Sequence, residues 1–186
     1  MGDRCCSPPT ETGSWSERGN GPRNPGSGSL RGPGEVMARF VHEPAPDIAE
    51  IVTELVGILG FDHIDPSRIH CRRSRGSTAD AYARIWEMPS MWRDALGIPP
   101  QYVIEVLAEH FDPLDEEERI KTLIHELLHI PSTFSGALRN HRGQGEPING
   151  RTVNRYHRRY QAEVRRRAET EPGDGSQLAI RFAEPR

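Results

Sequence analysis

Directly after Pro46 the apolar residues fall at helical spacing. Ile48, Ile51, Val52, Leu55 and Leu59 form one stripe, the signature of an amphipathic helix. Pro46 suits a first helical turn, where its missing N–H costs no bond, and Gly60 suits the residue just past the end. The stripe holds no polar group, so the helix it predicts is structural. Further along the period shortens. Residues 67–73 predict a strand, 81–88 a second with partial alternation, and 102–107 a third, rich in β-branched residues. Residues 89–96 read as a helical turn, which Gly97-Ile98-Pro99-Pro100 ends. Helical spacing returns with Ile120, Leu123, Ile124, Leu127 and Leu128, predicting a helix over about 115–130. Asp115 and Glu118 read as a capping box, Glu116 and Glu117 complement the helix dipole, and Pro131 is the stop. A last helix over about 150–168 carries Val153, Tyr156, Tyr160 and Val164 as its stripe.

Neither period runs through the beginning of the chain. Its first 35 residues hold eight Gly and five Pro, too little apolar surface to offset the entropy of ordering. The chain therefore divides into a disordered tail over 1–40, a folded domain over 41–169 and a flexible tail over 170–186, in which 178–182 suggests a short strand. The predicted class is α+β: a short three-stranded sheet packed with an N-terminal helix, the 115–130 helix and a C-terminal helix. Of 186 residues 34% are apolar, and Gly and Pro number 18 and 16, which fits a core unit of about 120–130 residues. The formal charge of −3 implies no global attraction to nucleic acid. No apolar run approaches the ~20 residues of a membrane span, and the start lacks the apolar stretch of a secretory signal. Cys5, Cys6 and Cys71 make no disulfide framework, so a reducing compartment, the cytoplasm, is expected.

Chemistry enters with His125-Glu126-Leu127-Leu128-His129, an H-E-x-x-H sequence inside the predicted 115–130 helix. Residues i and i+4 lie one above the other on a helix, so two imidazoles reach one zinc ion. Glu126 stands beside them, positioned as general base toward a water held by the metal. A chance match is expected in roughly 3% of chains of this composition, so the helical context matters as much as the letters. A catalytic zinc takes a third protein ligand. Ser132 and Ser135 occupy the places where the metzincin pattern has Gly and His, which excludes that subclass. The candidates are His141, Glu146, His157 and Glu163. His141 follows His129 after eleven intervening residues that include Gly136, enough chain to leave the helix, turn and return. His157 or Glu163 would supply a ligand from the last helix instead.

The stretch His125–His141, HELLHIPSTFSGALRNH, resembles the phage-type and archaeal metallopeptidase family, whose hallmark is HELLHIP, an aromatic-x-Gly step and a closing His. Upstream, Cys71–Ser77 (CRRSRGS), Tyr102–Val106 (YVIEV) and Phe111-Asp112 are also similar. The resemblance covers about residues 65–160. It implies a small zincin-like domain with zinc on His125, His129 and His141, with Glu126 catalytic, and it extends distantly to SprT-like proteases. The implied activity is zinc-dependent hydrolysis of peptide bonds in a peptide or protein substrate. Tyr156, His157 or an arginine of the last helix are candidates for steadying the oxyanion, and the 102–107 strand is expected to offer an edge for the substrate backbone.

Other conspicuous residues read as structural. His42, His63, His70 and His110 share no ligand spacing, Cys71 reads as a buried thiol, Trp86 and Trp92 as core or cleft wall, and Arg72, Arg73 and Arg75 as a solvated strand end. One rival remains. Residues 151–168 hold seven Arg (151, 155, 158, 159, 165, 166, 167) and one acid, Glu163, a basic face that would suit a zinc-stabilised nucleic-acid-binding module. That reading is not favoured, because a structural zinc site closes with four protein ligands and has no use for Glu126. A zinc hydrolase of a non-peptide bond would use the same groups.

Overall fold

A computed structural model describes residues 40–143 and 145–170. The predicted tails, the 178–182 strand and the Cys5-Cys6 pair lie outside these residues, save for Phe40 and Thr170 at the boundaries. The described elements are β1 (Val41–Pro44), α1 (Pro46–Leu59), β2 (Ile69–Arg75), β3 (Ala83–Glu87), α2 (Ser90–Leu96), β4 (Tyr102–Leu107), α3 (Ala108–Phe111), α4 (Glu116–Leu128) and α5 (Gly150–Thr170). The class is α+β, with a small sheet and several helices.

The sheet has four strands, not three, in the order β1-β2-β4-β3. The additional strand, β1, pairs antiparallel with β2 (Val41↔Arg75, Pro44↔Arg72). All four of its residues are exposed, so it has no apolar alternation to betray it. Parallel pairing joins β2 to β4 (Ile69↔Tyr102), and antiparallel pairing joins β3 to β4 (Ala83↔Val106). The expectation that 102–107 offers a pairing edge is thereby corrected. β4 is bonded on both sides, and the edges among the described residues are β1 and β3. Its composition explains the position, since a strand with five of six residues buried has no solvent side to spare.

Helix α1 forms where the periodicity places it, with Pro46 in its first turn and Gly60 ending it at φ 64°. It buries Ile48, Ile51, Val52, Leu55 and Leu59 in the same core as Ile69, Cys71, Ile104 and Val106 of the sheet. Ile120, Leu123, Ile124 and Leu127 bring α4 into that core. The Asp115 side chain accepts from the Glu118 N–H at 2.8 Å, but the reciprocal half of the capping box is not made. Glu118 pairs with Lys121 instead, at 2.9 Å. Helix α5 lies across α1 and α4, burying Val153, His157 and Tyr160.

Two further expectations need correction. Of the two places expected for Trp86 and Trp92, core or cleft wall, the core is excluded, since both are exposed; the Trp86 indole donates to Glu105 Oε2 at 2.8 Å. Arg73 is no solvated strand end. Its guanidinium lies 2.8 Å from Asp47 and 3.3 Å from Asp112, tying β2 to the start of α1 and the end of α3. Cys71 is buried as expected, and burial pushes its thiol up to about 12.

Candidate metal centre

Helix α4 ends within the H-E-x-x-H sequence. His125 stands in its last turn and His129 is its C-cap, still in right-handed helical conformation. The i, i+4 stacking is therefore kept at a point where the chain is about to turn away. Pro131 prevents the helix from continuing. Phe134 (φ 46°) and Gly136 (φ 81°) then take left-handed backbone, which reverses the chain.

The return is held by several polar contacts. The Tyr102 hydroxyl accepts from the Gly136 N–H (2.8 Å) and donates to the Ala137 carbonyl (3.2 Å). The Arg139 N–H donates to the His129 carbonyl at 2.7 Å, and its guanidinium donates to the carbonyls of Leu128 (3.2 Å) and Glu146 (2.6 Å). A cation on the last carbonyls of α4 meets the negative end of the helix dipole. Two residues on is His141, whose carbonyl accepts from the Ile148 N–H at 3.1 Å.

These contacts bring three imidazoles together. His125 Nε2 lies 3.1 Å from His141 Nε2 and 3.1 Å from His129 Nε2. Tetrahedral ligands at zinc distances of ~2.0–2.1 Å stand roughly 3.3 Å apart, so the observed spacing fits one small cation with three nitrogen donors. His129 is buried, while His125 and His141 are partly accessible. Burial first, and then the neighbouring charges of His129 and His141, push the His125 pKa down to about 3. A neutral imidazole keeps the lone pair that a metal requires. His129 Nδ1 stands 2.7 Å from the Arg139 carbonyl. That carbonyl can only accept, so the proton sits on Nδ1 and leaves Nε2 to coordinate. Glu126, beside His125 in the chain, is 1% exposed.

The other candidate ligands go elsewhere. Glu146 is ion-paired with Arg155. Glu163 pairs with Arg166 (2.7 Å) and Arg167 (3.0 Å). His157 is buried between helices with Nδ1 3.9 Å from Glu117 Oε1, at the opposite end of α4 from His125. Of the oxyanion candidates, Tyr156 stacks on Phe61 at 5.3 Å, with the guanidiniums of Arg155 and Arg159 over its ring. A cleft of about 800 Å³ beside it is walled by Phe61, Leu128, Arg139 and Tyr156, and none of the three histidines lines it. Nothing in the H-E-x-x-H pattern points to Arg139; the signal for it is a basic residue that follows a helix end within reach of its last carbonyls.

Among the described residues, His125, His129 and His141 form the metal-capable group whose donor atoms lie within 4.8 Å of one another. No helix among those residues is long and apolar enough to cross a membrane. A family model described as putative phage metallopeptidase matches residues 40–168, more than half of the chain. No curated protein and no solved structure matches.

Proposed function

The chain belongs to the phage metallopeptidase family, and from that premise we propose that it is a zinc-dependent peptidase of the cytoplasm, with His125, His129 and His141 as metal ligands and Glu126 as catalytic base. The observation that carries this reading is the convergence of the three imidazoles, with the Nε2 atoms of His129 and His141 each 3.1 Å from His125 Nε2. Among the described residues the metal-capable group consists of these three imidazoles, which matches an open catalytic site better than a closed structural one. Zinc bound there would polarise the scissile carbonyl and acidify a water at the open position.

The protein's own residues carry the remaining steps. His129 is oriented by the Arg139 carbonyl, and His141 by the backbone bond to Ile148. Glu126 takes a proton from the attacking water and returns it to the leaving amine nitrogen, which makes the amine a viable leaving group. Its burial excludes bulk water from the proton path and strengthens its electrostatic influence. The substrate backbone lies along β3, the sheet edge that packs against α4. An extended peptide can satisfy the unpaired groups of such an edge.

The test is Glu126→Gln. The variant keeps about one zinc per chain, measured by elemental analysis after dialysis, and loses cleavage of an unfolded protein substrate such as reduced, alkylated lactalbumin. Cleavage retained at the wild-type rate would overturn the assignment of Glu126.

A further inference from the structure

Among the described residues six large apolar side chains are exposed, and four of them lie between positions 86 and 96. Trp86 is 42% exposed, Met91 77%, Trp92 61% and Leu96 57%. Three of these stand on α2, none of whose residues is buried. Trp92 and Leu96 are i and i+4, neighbours on one helix face. Such side chains in so short a segment are unusual on a surface, and clustered apolar exposure marks a contact site.

This helix is not a loose appendage. The Arg93 guanidinium donates to the Ser135 carbonyl at 3.0 Å. Gly136 lies so close that a Cβ there would stand 2.7 Å from Arg93 Nη1 and 3.2 Å from Pro100 Cβ. Ser135 and Gly136 belong to the loop that carries the chain from His129 to His141, so α2 is clamped to the segment that closes the histidine cluster. Its other end continues from β3, with two residues between Glu87 and Ser90. α2 therefore starts beside one end of the edge strand β3 and is held to the histidine loop.

We propose that α2 is a substrate-recognition wall, on which Trp92, Leu96 and Met91 take apolar or aromatic side chains of the polypeptide held at the three-histidine centre. The proposal rests on the peptidase reading and names the class of chain it acts on: unfolded segments rich in apolar side chains. A folded domain would keep those side chains in its own core. A second copy of this chain is the weaker occupant. Three side chains on a seven-residue helix cannot provide the ~800 Å² per partner that a stable dimer buries.

The test uses metal-loaded full-length protein and two fluorescein-labelled decapeptides. In one, Phe and Leu alternate with Ser; in the other, every Phe and Leu is replaced by Ser. Binding is read by anisotropy in the Glu126→Gln background, and cleavage in the wild type. The wild type cleaves the apolar peptide with at least tenfold higher kcat/KM, and Glu126→Gln binds it at least tenfold tighter. Adding Trp92→Ser and Leu96→Ser removes that preference through KM, with kcat kept within about twofold and with unchanged zinc content and melting temperature. Trp92→Phe restores most of it when Leu96 is retained. If cleavage persists with its apolar preference intact in the double variant, the wall is overturned while the peptidase reading stands. If Glu126→Gln binds the apolar peptide through α2 but the wild type never cleaves it, the wall stands and the peptidase reading fails. Folded, zinc-loaded protein that neither binds nor cleaves either peptide overturns both. Self-association abolished by the double variant, with no peptide preference, would assign α2 to a dimer and overturn the wall.

Discussion

His129 and Arg139 are joined twice through their backbones and one ring: the Arg139 N–H donates to the His129 carbonyl at 2.7 Å, and the Arg139 carbonyl accepts from His129 Nδ1, also at 2.7 Å. One residue therefore closes the helix, sets the tautomer of a histidine in the cluster and aims the chain toward His141. Its side chain adds a third hold, on the Leu128 carbonyl. Replacing Arg139 by Ala keeps both backbone bonds but removes the cation from the end of α4. Outer-shell supports of this kind contribute about 10–100-fold to metal affinity. Because the tautomer-setting carbonyl remains, Arg139→Ala is expected at the low end, about tenfold weaker zinc binding in a competition titration with a chromophoric chelator. Unchanged affinity would mean that the backbone bonds alone hold the loop.

The third ligand of the proposed site is the one that α4 does not supply. His141 reaches the cluster from a loop, at 3.1 Å from His125 Nε2, whereas Glu146 and Glu163 are ion-paired elsewhere and His157 faces Glu117. His141→Ala should leave a two-histidine site that loses most of its zinc on mild dialysis, while His157→Ala keeps about one ion per chain. Chelation of the wild type should abolish cleavage, and added zinc should restore it. Full zinc retention in His141→Ala would move the third ligand to another residue.

The pH dependence of stability should carry a signature of His157. Burial lowers its pKa below 6.5; Glu117 and Glu118 oppose that shift and Lys121 reinforces it. A histidine whose folded pKa is depressed takes up its proton more readily when unfolded, so stability rises with pH wherever the two states differ in protonation. Its contribution is complete above about pH 6.5 and is lost as the pH falls toward the lower folded value. His157→Gln should therefore flatten the fall in melting temperature between pH 7 and pH 5, compared in the His125→Ala background so that the cluster does not dominate. Parallel slopes in the two proteins would show that His157 is not the group responsible.

Much of this arrangement was legible in the residues. The stripes of α1 and α4 are local patterns with strong punctuation, Pro46 and Gly60 in one case and Asp115 and Pro131 in the other, and both helices fall where those residues put them. β4 is readable for its β-branched run, but its place between β2 and β3 depends on pairs such as Ile69↔Tyr102 and Ala83↔Val106, distant in sequence, which no local pattern reports. β1 is fully exposed and gives no periodic signal at all. For Trp86 and Trp92 the residue type suggests core or cleft wall, and no local pattern tells the two apart; among the described residues Trp86 stands on the edge strand β3 and Trp92 on a helix none of whose residues is buried, so neither is core. The histidine cluster was half visible. Spacing on one helix announces His125 and His129, whereas the position of His141 is made by Phe134, Gly136 and Arg139 acting together.

Two glycines should respond to the same substitution with opposite signs. Gly57 lies in the interior of α1 on its exposed side, and a Cβ there would meet nothing within 4 Å. Ala is the better helix former because it restricts the unfolded chain without strain in the folded one, so Gly57→Ala should stabilise by about 0.5–1 kcal/mol. Gly136 has φ 81°, and its Cβ would stand 2.7 Å from Arg93 Nη1 and 2.9 Å from Arg93 Cζ. The guanidinium can swing away, but only by giving up its bond to the Ser135 carbonyl, and the left-handed backbone stays unfavourable for Ala whatever Arg93 does. A cost of about 1–3 kcal/mol is expected. The strain falls in the loop between His129 and His141, so Gly136→Ala should also weaken zinc binding, whereas Gly57→Ala should leave it alone. Denaturant titration of the zinc-free proteins gives the stability terms, and chelator competition gives the affinity. A Gly136→Ala variant as stable as the wild type, with unchanged zinc affinity, would show that the clamp between α2 and the histidine loop is not needed to hold the site.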